Sequence, residues 1–110
     1  MVEGIKHDQG KPPIDLVPKE LIEEVSKVLG FGATKYARFN WLNGMNWSRV
    51  YAAAMRHLLA WNSGEDIDPE SNLPHLAHAG CCIAFLLTYQ ERNLGTDDRY
   101  KPNEESIRDR

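Results

Sequence analysis

The stretch RHLLAWNSGEDIDPESNLPHLAH, residues 56–78, decides how the chain folds. Its first third continues an apolar helical repeat. GEDIDPESNLP, residues 64–74, breaks that repeat with Gly64, Pro69 and Pro74. HLAH then opens a second apolar run. The spacing predicts a helix, an acidic loop and an antiparallel helix. The stretch holds three of the four histidines of the chain. Polar groups gathered between two apolar helices suggest a site held by a scaffold.

Outward from this hairpin, helix two is predicted from about Ser48, as N-cap, to Asn62, with Gly64 closing it. Its stripe is Val50, Ala54, Leu58 and Trp61, and the alanines at 52–54 imply a close neighbour. Helix three is predicted from Pro74 to about Arg92 on a stripe of Leu76, Ala79, Ile83, Leu86 and Leu87. Helix one is predicted from Pro18 to a stop at Gly30, with Leu21, Ile22, Val25, Val28 and Leu29 as its apolar side. A short helical turn is expected over 33–38, followed by turn chemistry at Asn40, Asn43, Gly44 and Asn46.

The fold class expected is all-α, a small bundle of three main helices with a long aromatic loop. One domain is expected: an arm over 1–17, a helical core over 18–92 and a polar tail over 93–110. The 110 residues limit the core to a modest one. So little core predicts a homo-oligomer, with the site completed near the subunit interface. The net charge of -3 argues against non-specific nucleic-acid binding. No run is apolar enough to span a bilayer, and the start lacks the apolar centre of a signal peptide, so the cytoplasm is the expected location. Cys81 and Cys82 are adjacent and expected to be reduced thiols.

The chemistry is read from three clusters. His75 and His78 stand three apart on one helix, and His57 ends the preceding one. All three are expected to converge on a metal ion, with Glu65 or Asp68 completing the set. Such an ion binds polyphosphate and acidifies water. Arg56 is placed to neutralise phosphate bidentately, and Glu65, Asp68 and Arg56 are the expected catalytic groups. The second cluster interleaves Lys35, Tyr36, Asn40, Trp41 and Trp47, aromatics beside cations and amides, as a purine pocket requires. The third is peripheral. Lys11 on the arm is expected to meet a phosphate, and Asp98 and Arg99, just past helix three, to reach back to the nucleotide. Lys11 follows a glycine, but a P-loop is absent because its upstream glycine and its Ser or Thr are missing. The loop 65–70 also fails the EF-hand pattern.

DQGKPPIDLVP (8–18), VSKVLGFGATKYARFNW (25–41), GMNWSRVYAAAMRHLLAW (44–61), GEDIDPESNLPHLAHAGC (64–81) and TDDR (96–99) together resemble the phage-encoded family of dATP/dGTP diphosphohydrolase N-terminal domains. The resemblance covers about residues 6–99. It implies kinship with the MazG-like all-α pyrophosphatases, which split an NTP or dNTP into a monophosphate and pyrophosphate with Mg²⁺ or Mn²⁺ as helical oligomers. The chain departs from that pattern. His75 and His78 stand where ExxD is expected, and His57 where a glutamate is. Imidazoles suit Zn²⁺ or Mn²⁺ better than Mg²⁺. Three readings stay open: a different metal, acids supplied by Glu23, Glu24 or the 65–70 loop, or binding of nucleotide without cleavage.

Overall fold

A computed structural model describes residues 3–102. Residues 1–2 and the 103–110 part of the expected tail lie outside the described residues. Helix α1 spans Lys19–Lys35, α2 Trp47–Asn62 and α3 His75–Arg92. Short 3-10 turns occupy Ile14–Leu16 and Asn40–Asn43. Between α2 and α3 lies an antiparallel ladder of two short strands, β1 (Ile67–Asp68) and β2 (Leu73–Pro74), with Ile67 opposite Pro74 and Asp68 opposite Leu73. The fold is therefore helical with a small β-hairpin, not purely α. Asn72 makes the hairpin's turn in the left-handed region at φ 60, which asparagine tolerates better than most residues. Its N–H bonds to the carbonyl of Asp68 at 2.7 Å.

The hairpin of helices forms as the sequence predicts, with Gly64 at φ 99 past the end of α2. Two boundaries differ. Helix α1 does not stop at Gly30; it runs through Gly30 and Gly32 to Lys35 and takes in only the first half of the turn expected at 33–38. A glycine inside a helix costs only about 1 kcal/mol relative to alanine and stops nothing by itself. Helix α2 starts at Trp47, and Ser48 is not its cap. The cap comes from the tail: Asp98 accepts both the N–H and the hydroxyl of Ser48.

Helix α3 is the centre of the structure. It packs along α2 with one face and on α1 with another, and α1 and α2 meet mainly through it. Its buried positions are small or polar, Ala77, Ala79, Cys81 and His75, with Tyr89 completely enclosed. Small side chains let both neighbours approach. At Gly80 an added Cβ would lie 3.1 Å from Val25 and 3.6 Å from Leu21 of α1. Val28, Ala77 and Cys81 form the α1–α3 core, lined by Val25, Leu29, Leu73 and Phe85. The expected stripes are only partly buried. Leu21 and Ile22 on α1, and Leu76, Ile83 and Leu87 on α3, face outward. Bulky residues ring a core of small ones.

The start of the tail is tied to the start of α2. Asn46 and Thr96 form a bridge, the Trp47 N–H bonds the carbonyl of Thr96 at 3.0 Å, and the Trp47 indole N–H bonds that of Leu94 at 2.9 Å. Gly44 and Gly95 stand back to back there. A Cβ on Gly95 would lie 2.3 Å from the Met45 carbonyl oxygen, so the close approach requires glycine. No described helix is long and apolar enough to cross a membrane.

Candidate functional site

Three side chains converge where the β-hairpin folds over the α2–α3 junction. His57 comes from the last third of α2, His78 from the first turn of α3, and Asp68 from β1. One donor atom of each lies within 4.8 Å of the others, the one such group of His, Cys, Asp and Glu among the described residues. The rings of His57 and His78 stack with centroids 4.5 Å apart and planes 9° from parallel. Asp68 Oδ2 stands 3.9 Å from His57 Nδ1 and 3.7 Å from His78 Nε2. Its other oxygen accepts the Glu70 N–H at 2.9 Å, which fixes the carboxylate. The side chains are 21%, 13% and 15% exposed for His57, His78 and Asp68, so ligands can reach a largely dry cluster.

Each position has a local cause. The helical rise brings His57 opposite the start of α3 once the chain reverses at Gly64. The β1–β2 register then swings Asp68 back over both helices. Burial, first, and the neighbouring His78 pull the His57 imidazole below its ordinary pKa, against the pull of Asp68; His75 and Arg56 add to the fall. Burial also lowers His78, again opposed by Asp68. Both imidazoles are thus neutral at pH 7, the form that ligates metal. Two nitrogens and one carboxylate oxygen make a donor set for Mn²⁺ or Zn²⁺ more than for Mg²⁺.

His75 and Glu65 lie behind this cluster. His75 is buried, its backbone N–H bonded to the Asp66 carbonyl at 2.9 Å. Its Nδ1 is 2.9 Å from His57 Nδ1, and its Nε2 is 2.6 Å from Glu65 Oε1. The carboxylate accepts, so His75 donates from Nε2. One hydrogen bond joins the two Nδ1 atoms, so Glu65 and His75 together hold the orientation of His57, as outer partners do for metal-bound imidazoles. Ser71 escaped the sequence reading. Its hydroxyl accepts from the Leu73 N–H at 3.2 Å and shares a hydrogen bond with His78 Nε2 at 2.6 Å. Only the strand register places that serine, so spacing gave no signal for it.

The remaining expected residues divide between three cavities. Lys35, Tyr36, Asn40 and Trp41 share one of about 410 Å³, with Phe31, Arg38 and Phe85 in its wall. Trp41 stacks on Phe85 at 4.6 Å, and the Tyr89 hydroxyl donates to its carbonyl at 2.6 Å. Lys35 pairs with Glu70 at 2.9 Å, which ties this cavity to the loop carrying Asp68. Arg56 lines a second cavity of about 380 Å³ beside Cys82. Trp47, Asp98 and Arg99 lie apart, along a third of about 620 Å³ near the start of α2, ten residues or roughly 15 Å of helix from His57. Arg99 covers the Trp47 ring at 5.1 Å and is held by both oxygens of Asp97 at 2.8 and 2.9 Å. Lys11 sits exposed in a turn of the arm. Of the alternative acids, Glu23 is exposed and Glu24 pairs with Lys27 at 2.8 Å.

The family model described as dATP/dGTP diphosphohydrolase, N-terminal, matches residues 2–99. A protein of Salmonella phage PMBT28 named dATP/dGTP diphosphohydrolase is 40% identical over 96 residues, 87% of this chain and 33% of the relative. The chain thus spans about a third of the length of that relative. No solved structure matches it. The matched span carries the helical hairpin, the β-turn between its arms and every residue of the His–Asp cluster, and the chain belongs to the dATP/dGTP diphosphohydrolase N-terminal family.

Proposed function

We propose that this domain takes part in the metal-dependent hydrolysis of a purine (d)NTP to its monophosphate and pyrophosphate, in phage nucleotide metabolism. The convergence of His57, Asp68 and His78 carries the reading. The relative's name supports the nucleotide class. These three side chains would hold a divalent ion, with Mn²⁺ or Zn²⁺ favoured by the donor set. When bound, such an ion supplies charge for the polyphosphate and a more acidic water.

The chain's own groups do the rest. Asp68 brings the one formal negative charge of the cluster. Glu65 fixes His57 through His75 and offers a carboxylate within reach of solvent to receive a proton. Arg56, next to His57 and exposed, is free to meet phosphate oxygens. Lys35 stands at the aromatic cavity, where Tyr36, Asn40 and Trp41 give faces and edges for a base. Water adds at the α-phosphorus and the bond to the bridging oxygen of pyrophosphate breaks.

A second reading is nucleotide binding without turnover. It rests on the imidazoles standing where the MazG-like pattern has acids. Incubation with dATP or dGTP and Mn²⁺, followed by chromatography, separates the two. Release of dNMP and pyrophosphate, abolished by Asp68→Asn, supports hydrolysis. Calorimetric binding with intact nucleotide recovered supports the second reading. Neither binding nor release refutes both.

A further inference from the structure

Two of the cavities described above meet. Met45 and Phe85 stand in the wall of both the aromatic cavity and the one beside Cys82. The two form one cleft that opens onto the α2–α3 seam. Ala52 and Ala53 on α2 and Cys82 on α3 line it there, and their short side chains leave the space. The two ends of the cleft differ. One is the aromatic cavity of Tyr36 and Trp41. The other holds Arg56, which precedes His57 in the chain, and Cys82, one turn of α3 past His78.

The lining carries charge of one sign. It holds Lys35, Arg38, Arg49 and Arg56 and no Asp or Glu, in a chain whose net charge is -3. Lys35 is bound to Glu70 at 2.9 Å, and Arg38 lies over the Phe39 ring at 5.8 Å. Arg49 and Arg56 make no ion pair among the described residues. A guanidinium without a carboxylate, beside a half-buried groove, suits an anion, and its fork matches pairs of phosphate oxygens. The two arginines are seven residues apart, so they lean to the same side of α2 with roughly 10 Å between them along the axis. The charge of Arg56 reaches both neighbours. At the Cys82 thiol burial raises the pKa and Arg56 opposes it, and at His57 Arg56 adds the smallest share to a fall caused first by burial.

We propose that this cleft fixes the direction in which a nucleotide lies: base in the aromatic cavity, the phosphate next to the sugar on Arg49, and the terminal phosphates on Arg56 at the histidine end. The proposal rests on the nucleotide reading above and adds to it Arg49 and an order of contacts. The reverse direction would press the polyphosphate against Trp41 and Phe85, the apolar wall of the cleft. A monophosphate ends at Arg49, whereas a triphosphate bridges both arginines, so the pair reads the length of the phosphate chain.

Calorimetry with Mn²⁺ tests this order. The ligands are dAMP, dGMP and the α,β-methylene analogues of dATP and dGTP, whose bond between the first two phosphates resists hydrolysis. Arg49→Gln weakens monophosphate and triphosphate analogue alike, roughly 10-fold. Arg56→Gln weakens the triphosphate analogue roughly 10-fold and leaves the monophosphate within about 2-fold. Arg92→Gln, at the far end of α3 and outside the cleft, changes neither. Circular dichroism of each variant checks that the helices persist. Binding that survives both cleft substitutions, equal losses for both variants on both ligands, or a monophosphate that depends on Arg56 and not Arg49 overturns the proposal and leaves the nucleotide reading standing. So does an equal loss in Arg92→Gln, which makes the effect one of net charge. An unmodified chain that binds none of the four ligands refutes the nucleotide reading, and the proposal falls with it.

Discussion

Gly95→Ala tests whether Trp47, Asp98 and Arg99 serve the fold rather than the nucleotide. Gly95 sits at φ 71, and its added Cβ would meet the Met45 carbonyl oxygen at 2.3 Å and the Met45 nitrogen at 3.0 Å. Both obstacles are backbone, so no rotamer relieves the clash. Holding alanine in the left-handed region alone costs about 1–2 kcal/mol. Backing the tail away breaks the Trp47 N–H to Thr96 carbonyl bond, the Thr96 N–H to Met45 carbonyl bond and the Trp47 indole bond to Leu94, each contributing about 1 kcal/mol net. The total expected is about 4 kcal/mol, a large share of the 5–15 kcal/mol that stabilises an ordinary domain. Urea unfolding followed by tryptophan fluorescence reads it directly. Gly30→Ala is the counter-test: it lies in α1 with nothing within 4 Å of an added Cβ, so alanine should stabilise by about 1 kcal/mol. A Gly95→Ala loss below 1 kcal/mol, or equal shifts for both variants, refutes the argument that the tail is clasped by backbone contact.

Other outcomes follow from the same geometry. Tyr89→Phe leaves the Trp41 carbonyl without its hydroxyl donor and should cost about 1–2 kcal/mol in denaturant unfolding. His57 and His78 have pKa values lowered in the folded chain, chiefly by burial. The unfolded chain therefore takes up protons first as pH falls below about 6.5, so stability should drop from there until the folded-state values are passed. The same shifts predict Mn²⁺ affinity that stays level from pH 8 to near the ordinary imidazole value and falls only below it, measurable by calorimetry. Burial pushes the Cys81 thiol up to about 12. It should resist a thiol reagent at pH 8 in the folded chain and react after denaturation.

The helical hairpin was legible because its apolar spacing, Gly64 and Pro74 are local signals that no distant contact has to supply. His57 and His78 were legible for the same reason: helix pitch and a chain reversal bring them together. The boundaries that failed were those set by tertiary contact. Gly30 reads as a stop, yet α1 continues because its packing on α3 outweighs the small cost of glycine. Ser48 reads as a cap, yet the cap is Asp98, fifty residues away.

The site divides in the same way. Sequence alone determined its residue types and its place between α2 and α3. It also determined the family likeness, since the matched motifs are contiguous. The β1–β2 register decided the rest: Asp68 and not Glu65 faces the two stacked imidazoles, Ser71 joins His78, and His75 stands behind His57. A shift of one residue along that ladder would turn Asp68 to the opposite face, and hydrophobic periodicity carries no information on the register of strands two residues long. Likewise the sequence marked Leu76, Ile83 and Leu87 as apolar. Only the packing of small residues beneath them left these three on the surface.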